Sequence, residues 1–316
     1  MRVARYIGEG NVAIVEEPMP SCPPGGLLVQ TEACGLCSGE LMQWYMDQKI
    51  PHVLGHEVAG IVVESDSPSF PVGTRVFPHH HAPCLQCEDC RRGLYVHCPT
   101  WRKTKLVPGG MADFFAVAPE NLTDTHVIDD LTPEDGALIE PLACVAKSIR
   151  MASPGGQSVA VIGLGVMGLL HMLVMPGAVG YDLSPRRIEW ATNLGLQALH
   201  PDQMMPADVI IVCPGSQATL DLATRHVCPG GTIVLFAPQP PGERTILDAN
   251  RLYFADVTLR NAYSCGPDDT AVALQWIRES KVRANQVVSD FIALDELPKA
   301  YHAMKRGDIL KAMVRF

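Results

Sequence analysis

Four cysteines, Cys84, Cys87, Cys90 and Cys98, follow one another at spacings of three, three and eight. Thiols set that closely in one loop can wrap a single tetrahedral ion. Zinc in a closed four-cysteine site is the natural occupant, because thiolates are soft donors and Zn²⁺ accepts tetrahedral geometry without strain. The competing reading is four buried, reduced thiols, since a free cysteine packs like a small hydrophobe. The loop is polar and charged, however, with Glu88, Asp89, Arg91 and Arg92 among the cysteines. It offers little core to bury them in, so a structural zinc lobe is expected over residues 84–98. A closed site pins a loop and does no chemistry, so the reaction must lie elsewhere.

A second chemical signal is Gly163-Leu164-Gly165-Val166-Met167-Gly168, which follows an apolar β-branched run and opens an apolar helical stretch. In that context the first glycine makes a tight turn, the second admits a pyrophosphate, and the third lets helix pack on strand. The phosphates of a dinucleotide then face free N–H groups at the helix N-terminus. Asp182 stands 19 residues after Gly163, where a carboxylate can accept hydrogen bonds from the adenosine ribose. Such an acid repels a 2′-phosphate and favours NAD over NADP. Arg186 and Arg187 pull the other way, because an arginine there can pair with that phosphate. The competing role for Asp182 is to cap the helix that begins at Pro185. Cys213, at the end of the strand Val209–Cys213, is placed with these residues as a cofactor contact.

Positioning such groups takes a particular order of elements. Residues 1–140 read as short alternating strands, such as 26–32 and 58–64, separated by Pro and Gly clusters. From Ser158 the texture changes to strands at 159–162, 179–182, 209–213 and 232–236, alternating with helices at 165–174, 185–194 and 218–226. That alternation means βαβ units and a doubly wound parallel sheet. Beyond Cys265 we expect a helix near 268–279, a strand near 287–291, a helix over 297–305 and a terminal strand. The apolar stretch 158–180 has the length of a membrane span, but five glycines, Pro176 and His171 make it buried α/β core. With 25 basic against 34 acidic side chains the net charge is −9, which excludes a phosphate-backbone binder. The first ten residues lack a charged start followed by an apolar core, so no secretory signal is expected. The eleven cysteines then read as ligands and reduced thiols of a cytoplasmic protein.

Three further segments carry metal-type side chains: Cys37 in ACGLCSGE, His56 and Glu57 in VLGHEVAG, and Glu140 in IEPLAC. Each has a plain explanation alone. Together with the cysteine lobe and the glycine fingerprint, in this order, they make the chain resemble the zinc-containing medium-chain alcohol dehydrogenases, especially the polyol and threonine dehydrogenase branch. The resemblance runs nearly end to end, through GHEVAG, PGGMADFFAV, EPLA, GLGVMG and the closing ILKAMVRF. It implies a GroES-like β-rich catalytic domain over residues 1–143 and 266–316, around a Rossmann domain over 144–265, with ligands in the cleft between them. It also implies a catalytic zinc held by Cys37, His56 and either Glu57 or Glu140, so two Zn²⁺ per chain, and a homodimer or homotetramer. The chemistry demands such a metal. An alcohol is about as weak an acid as water, and zinc lowers bound water from about 15.7 to about 7. Those roughly nine units are worth about 12 kcal/mol, whereas a positioned base alone gives about 10²–10⁴-fold.

The sequence departs from the family at its proton relay. A Ser or Thr two residues after the zinc cysteine is usual; here the order is Cys37-Ser38-Gly39-Glu40, and Met42 stands where some members have a relay histidine. Ser38 is the available hydroxyl. The crossover from Gly168 to Asp182 is also short, with Pro176-Gly177 cutting the first helix. His79-His80-His81 belong to a segment that lines the substrate cleft in relatives, with Trp44, Tyr45, Trp101 and Arg102 as further candidates, although three adjacent histidines are more often surface residues. The expected activity is oxidation of a secondary hydroxyl of a polyol, sugar derivative, cyclitol or amino alcohol, with NAD as hydride acceptor. Its rivals are an NADPH-dependent aldehyde or ketone reductase, and a zinc-ribbon binding protein with an inert Rossmann domain.

Overall fold

The computed structural model describes residues 1–316. The chain divides into two compact units, one of residues 1–143 and 265–316, the other of residues 144–264.

The first unit is built on a seven-stranded, mostly antiparallel sheet. Its central strand, Leu27–Gly35, is buried along nearly its whole length, as a strand covered on both faces should be. On one side it pairs antiparallel with Glu57–Ser65, setting Gly35 opposite Glu57. On the other it pairs with Ala312–Arg315, setting Gly35 opposite Met313. That register brings the Cys37 turn, the His56-Glu57 step and Lys311 to one end of the sheet. Leu27, Val29, Val58, Val62, Phe115 and Val314 fill the core with Tyr301 from the helix Leu297–Arg306. Each such side chain contributes about 1.5–3 kcal/mol on burial, so the sheet end is a rigid mount. The expected strand near 287–291 is displaced: Ala284–Val287 is a helical turn and the strand is Asp290–Ile292. Val287 and Val288 are apolar because they are buried, which mimics a strand signal.

The second unit is a six-stranded sheet, all parallel, in the order Gln197–Leu199, Val179–Tyr181, Val159–Ile162, Ala207–Val212, Val227–Leu235, Thr258–Asn261. Numbered within the unit this is 3-2-1-4-5-6, the doubly wound order, with its switch point between Val159–Ile162 and Ala207–Val212. The stretch 158–180 is core: a strand, a glycine turn, the nine-residue helix Val166–Val174, then Pro176-Gly177 leading into the next strand. No helix is long and apolar enough to cross a membrane.

Candidate functional site

At the end of the central strand the chain turns through Cys37 into the short 3₁₀ helix Ser38–Leu41. Cys37 caps it, its Sγ accepting from Gly39 N at 3.3 Å, and the Glu40 carboxylate reaches back to Cys37 N at 3.3 Å. The same carboxylate accepts from Gly55 N at 2.7 Å and lies 3.3 Å from His56 Nδ1. Glu40 is buried at 2 % exposure, and burial alone would raise its pKa. The His56 imidazole and the Gly55 N–H outweigh that and hold it at about 2, so it remains a carboxylate. It turns one His56 nitrogen toward itself and leaves the other as donor, the backing that metal-ligating histidines require.

Cys37, His56 and Glu57 bring one ligand atom each to within 4.8 Å of one another. Glu57 is buried and ion-paired with Lys311, whose Nζ also donates to Leu36 O at 3.2 Å. Burial would push the Lys311 ammonium down, but Glu57 and Cys37 reverse this and raise it, so the cation persists. A Cβ on Gly35 would stand 2.2 Å from Glu57 Oε2, so the bare strand is what admits this carboxylate. A thiolate, an imidazole and a carboxylate are three ligands of the kinds a catalytic zinc takes while keeping one position open. The donor set fits the ion that the sequence implies.

Glu140 lies in the first turn of the helix Ile139–Ala152 and is buried, which raises its pKa. It is electrostatically coupled to Cys37, His56 and Glu57, and its carboxylate lies within 4.8 Å of donor atoms of His79 and His80 and, in a second grouping, of Cys144 and Cys265. The competing reading of the three histidines as surface residues does not hold. His79 is fully buried and His80 and His81 partly so, because the strand Arg75–Pro78 carries them inward toward the Asp124 carboxylate. Ser38 is exposed at the start of its 3₁₀ helix rather than on an extended strand.

The lobe cysteines Cys84, Cys87, Cys90 and Cys98 converge within 4.8 Å. Cys87 and Cys90 sulfurs are 3.5 Å apart, and those of Cys84 and Cys90 are 4.0 Å apart. A tetrahedron with Zn–S bonds of about 2.3 Å has edges of about 3.8 Å, so the thiols stand at the spacing such an ion sets.

In the second unit Gly163 has φ of +90° and its missing Cβ makes room for the Pro214 ring. A Cβ on Gly168 would lie 1.9 Å from Gly163 O, whereas nothing comes within 4 Å of one on Gly165. Gly165 therefore faces the open space a pyrophosphate needs, at the N-terminus of the helix Val166–Val174. Asp182 accepts from Leu164 N at 2.7 Å and from Ser184 N at 2.8 Å, and Arg187 Nη1 is 3.5 Å away. It braces the glycine turn; Ser184, not Asp182, is the N-cap of the helix Pro185–Asn193. Cys213 is bonded through its N–H to Ile162 O at 3.0 Å, and burial then the Asp182 charge lift its thiol to about 12, so it is a neutral neighbour of the turn.

Sequence reasoning missed Glu40 and Lys311. Glu40 had a signal, since a capping residue followed three positions later by Glu is a capping box. Lys311 had none beyond its place in ILKAMVRF, because only strand register reveals its partner.

Residues 23–127 match the alcohol dehydrogenase GroES-like domain. The chain is 30% identical over 290 residues to D-altritol 5-dehydrogenase of Agrobacterium fabrum, covering 84% of each. It is 23% identical to D-xylulose reductase A of Aspergillus oryzae, over 98% of this chain and 95% of that one. The solved alcohol dehydrogenase of Thermus sp. ATN1 shares the fold, with a TM-score of 0.87 at 24% identity and 100% of both chains covered. The identity to the altritol enzyme, carried over most of both chains, shows that this protein belongs to the zinc-containing medium-chain alcohol dehydrogenases and is a zinc-dependent, nicotinamide-linked alcohol dehydrogenase.

Proposed function

We propose that the chain oxidises a secondary hydroxyl of a polyol or sugar derivative, with cyclitols and amino alcohols in the same chemical range, using NAD⁺. The observation that carries this reading is the Cys37–His56–Glu57 donor cluster with Glu40 behind His56. Zinc held by Cys37, His56 and Glu57 supplies Lewis acidity toward the hydroxyl oxygen, and NAD⁺ supplies the hydride acceptor. The protein's own residues do the rest. Glu40 fixes the His56 ring and the Cys37 turn together. Lys311 ties Glu57 to the sheet. Ser38, exposed at the helix start, offers a hydroxyl to carry the departing proton to solvent. The two relatives named for a hexitol and a pentulose support a hydroxyl-rich substrate.

For the cofactor, the Asp182 carboxylate at the glycine turn favours a free ribose 2′-hydroxyl. Arg187, 3.5 Å from Asp182, favours the second reading, NADP(H) use. A screen of polyols and amino alcohols, with NAD⁺ and NADP⁺ at equal concentrations, tests both. Reduction of NAD⁺ by at least one polyol is expected. Turnover of simple alcohols alone would overturn the substrate class, and preference for NADP⁺ would overturn the role given to Asp182.

A further inference from the structure

The cysteine lobe and the Cys37–His56–Glu57 cluster share no ligand, yet an unbroken run of rings joins them. The ring centroids of His56 and His80 are 4.8 Å apart, those of His80 and His81 4.2 Å, and those of His81 and Trp101 4.1 Å. The planes are inclined to one another by 41°, 45° and 32°, so each ring leans on the next. Centroids this close put the rings in van der Waals contact. No ring in the run can swing without moving its neighbour.

Both ends of the run are fastened to a metal site. At one end His56 belongs to the cluster itself. At the other, Trp101 lies in the short helix Pro99–Lys103, which follows Cys98, and its backbone N–H donates to the Cys98 sulfur. The Trp101 side chain is buried against Cys90, Val96 and Cys98. The middle is clamped as well. Asn121 Nδ2 donates to His79 O at 2.9 Å and to His80 O at 3.1 Å. His81 Nδ1 donates to Thr104 O at 2.7 Å, and Thr104 Oγ1 accepts from Ala82 N at 2.9 Å. The buried Nδ1 of His80 has no partner at all. Buried polar atoms are paired as a rule, so a ring that leaves one unpaired is held here for its faces.

The run supplies a restraint that Glu40 does not. The Glu40 carboxylate, 3.3 Å from His56 Nδ1, fixes which nitrogen turns away from it. A contact at one ring atom still lets the imidazole rock about that atom. A second ring against its face removes the freedom, and orientation set from outside the ligand shell tunes metal affinity.

We propose that His80, His81 and Trp101 are positioning residues that couple the cysteine lobe to the Cys37–His56–Glu57 cluster by fixing the plane of the His56 ring. An ion in the lobe holds Cys98, Cys98 holds Trp101, and the rings pass that constraint to His56. The lobe thus prepares the reacting site without touching it, a role that rests on reading Cys37, His56 and Glu57 as a metal cluster.

The full-length protein with Zn²⁺ in the lobe and Co²⁺ in the cluster tests this without reference to turnover, because cobalt absorption bands report the ligand arrangement around that ion. His81→Ala, checked for folding by its thermal melt, should shift the bands and weaken Co²⁺ by about tenfold, as loss of a ligand's support does. His81→Phe restores a ring but not the bond to Thr104, and should recover both bands and affinity. Trp101→Ala should shift the bands in the same way, with Trp101→Phe recovering them. Cys84→Ser, which empties the lobe, should shift the bands in the unmodified chain but add no further shift to His81→Ala. Bands unmoved by His81→Ala in a folded protein overturn the proposal, as does His81→Phe faring no better than His81→Ala. Equal shifts from Cys84→Ser with and without the His81 ring overturn it too. Absence of any Co²⁺ that depends on Cys37 in the unmodified chain would overturn the metal-cluster reading, and this proposal with it.

Discussion

Glu40 joins three things that are separate in sequence: the Cys37 turn, the Gly55 amide and the His56 ring. Removing it should cost metal affinity before it costs the fold. Glu40→Ala is expected to weaken zinc binding at the Cys37 cluster by about 10–100-fold, read by chelator competition, with Glu40→Gln intermediate because it keeps an acceptor for Gly55 N. Equal affinity in all three proteins would show that the sheet alone orients His56. Ser38 makes a narrower claim. A positioned relay is worth about 10²–10⁴-fold, so Ser38→Ala should lower kcat by about the lower figure where chemistry limits, with NAD⁺ affinity and zinc content unchanged. Normal turnover would route the proton through water or Glu57. In the other unit His171 is fully buried, and burial depresses its pKa to about 4 despite the bond from its Nδ1 to Met167 O. The unfolded chain, titrating near 6.5, therefore takes up the proton first. Stability is full above about pH 6.5 and falls as pH drops toward 4, by roughly 3 kcal/mol in total. His171→Leu should flatten that part of the melting-temperature profile; an unchanged slope would place the acid sensitivity elsewhere.

The glycine turn shows how an element carries function, and its three glycines fail in different ways. A Cβ at Gly168 collides with backbone at 1.9 Å, so Gly168→Ala must push helix from strand. Overpacking of this kind costs about 1–3 kcal/mol, and both the melting temperature and NAD⁺ binding should drop. Gly165 meets nothing within 4 Å, so Gly165→Ala should leave the melting temperature nearly unchanged while weakening NAD⁺ by at least about tenfold, since about 1.4 kcal/mol of lost contact suffices. If Gly165→Ala binds NAD⁺ normally, the pyrophosphate does not lie there. This turn was legible because strand, glycines and helix follow each other within one βαβ unit. Val159–Ile162, Val166–Val174 and Val179–Tyr181 lie within a residue of their expected positions. The edge strands Gln197–Leu199 and Thr258–Asn261 were not legible: they are short, half exposed and lack the apolar run of a central strand. The inward course of His79 was hidden for a similar reason, because its polar partner Asp124 lies 45 residues away and belongs to no local pattern.

Over the whole molecule, two units carry separable tasks, one presenting metal donors at a sheet end and the other a glycine turn at a switch point. The cysteine lobe stabilises and does not react. Cys84→Ser should therefore lose one zinc and lower the melting temperature, while the ion that depends on Cys37 remains; loss of both ions together would mean the lobe organises the sheet end as well. The change from β-rich texture to strand–helix alternation was legible only from about Ser158, because the helix Ile139–Ala152 precedes the first strand of the second unit, whose bounds are residues 144–264. What composition and periodicity could not supply was the meeting of Cys37, His56, Glu57 and Lys311, which rests on strands pairing so that Gly35 faces Glu57 on one side and Met313 on the other. The central claim is that this meeting point is where a hydroxyl-rich alcohol gives up its hydride to NAD⁺. NADH formation from a panel of polyols, by the zinc-repleted chain and its Cys37→Ser variant side by side, tests it most directly. The account predicts turnover of at least one polyol by the unmodified protein and none above background by the variant, with NAD⁺ affinity equal in both. Turnover that survives Cys37→Ser would contradict it.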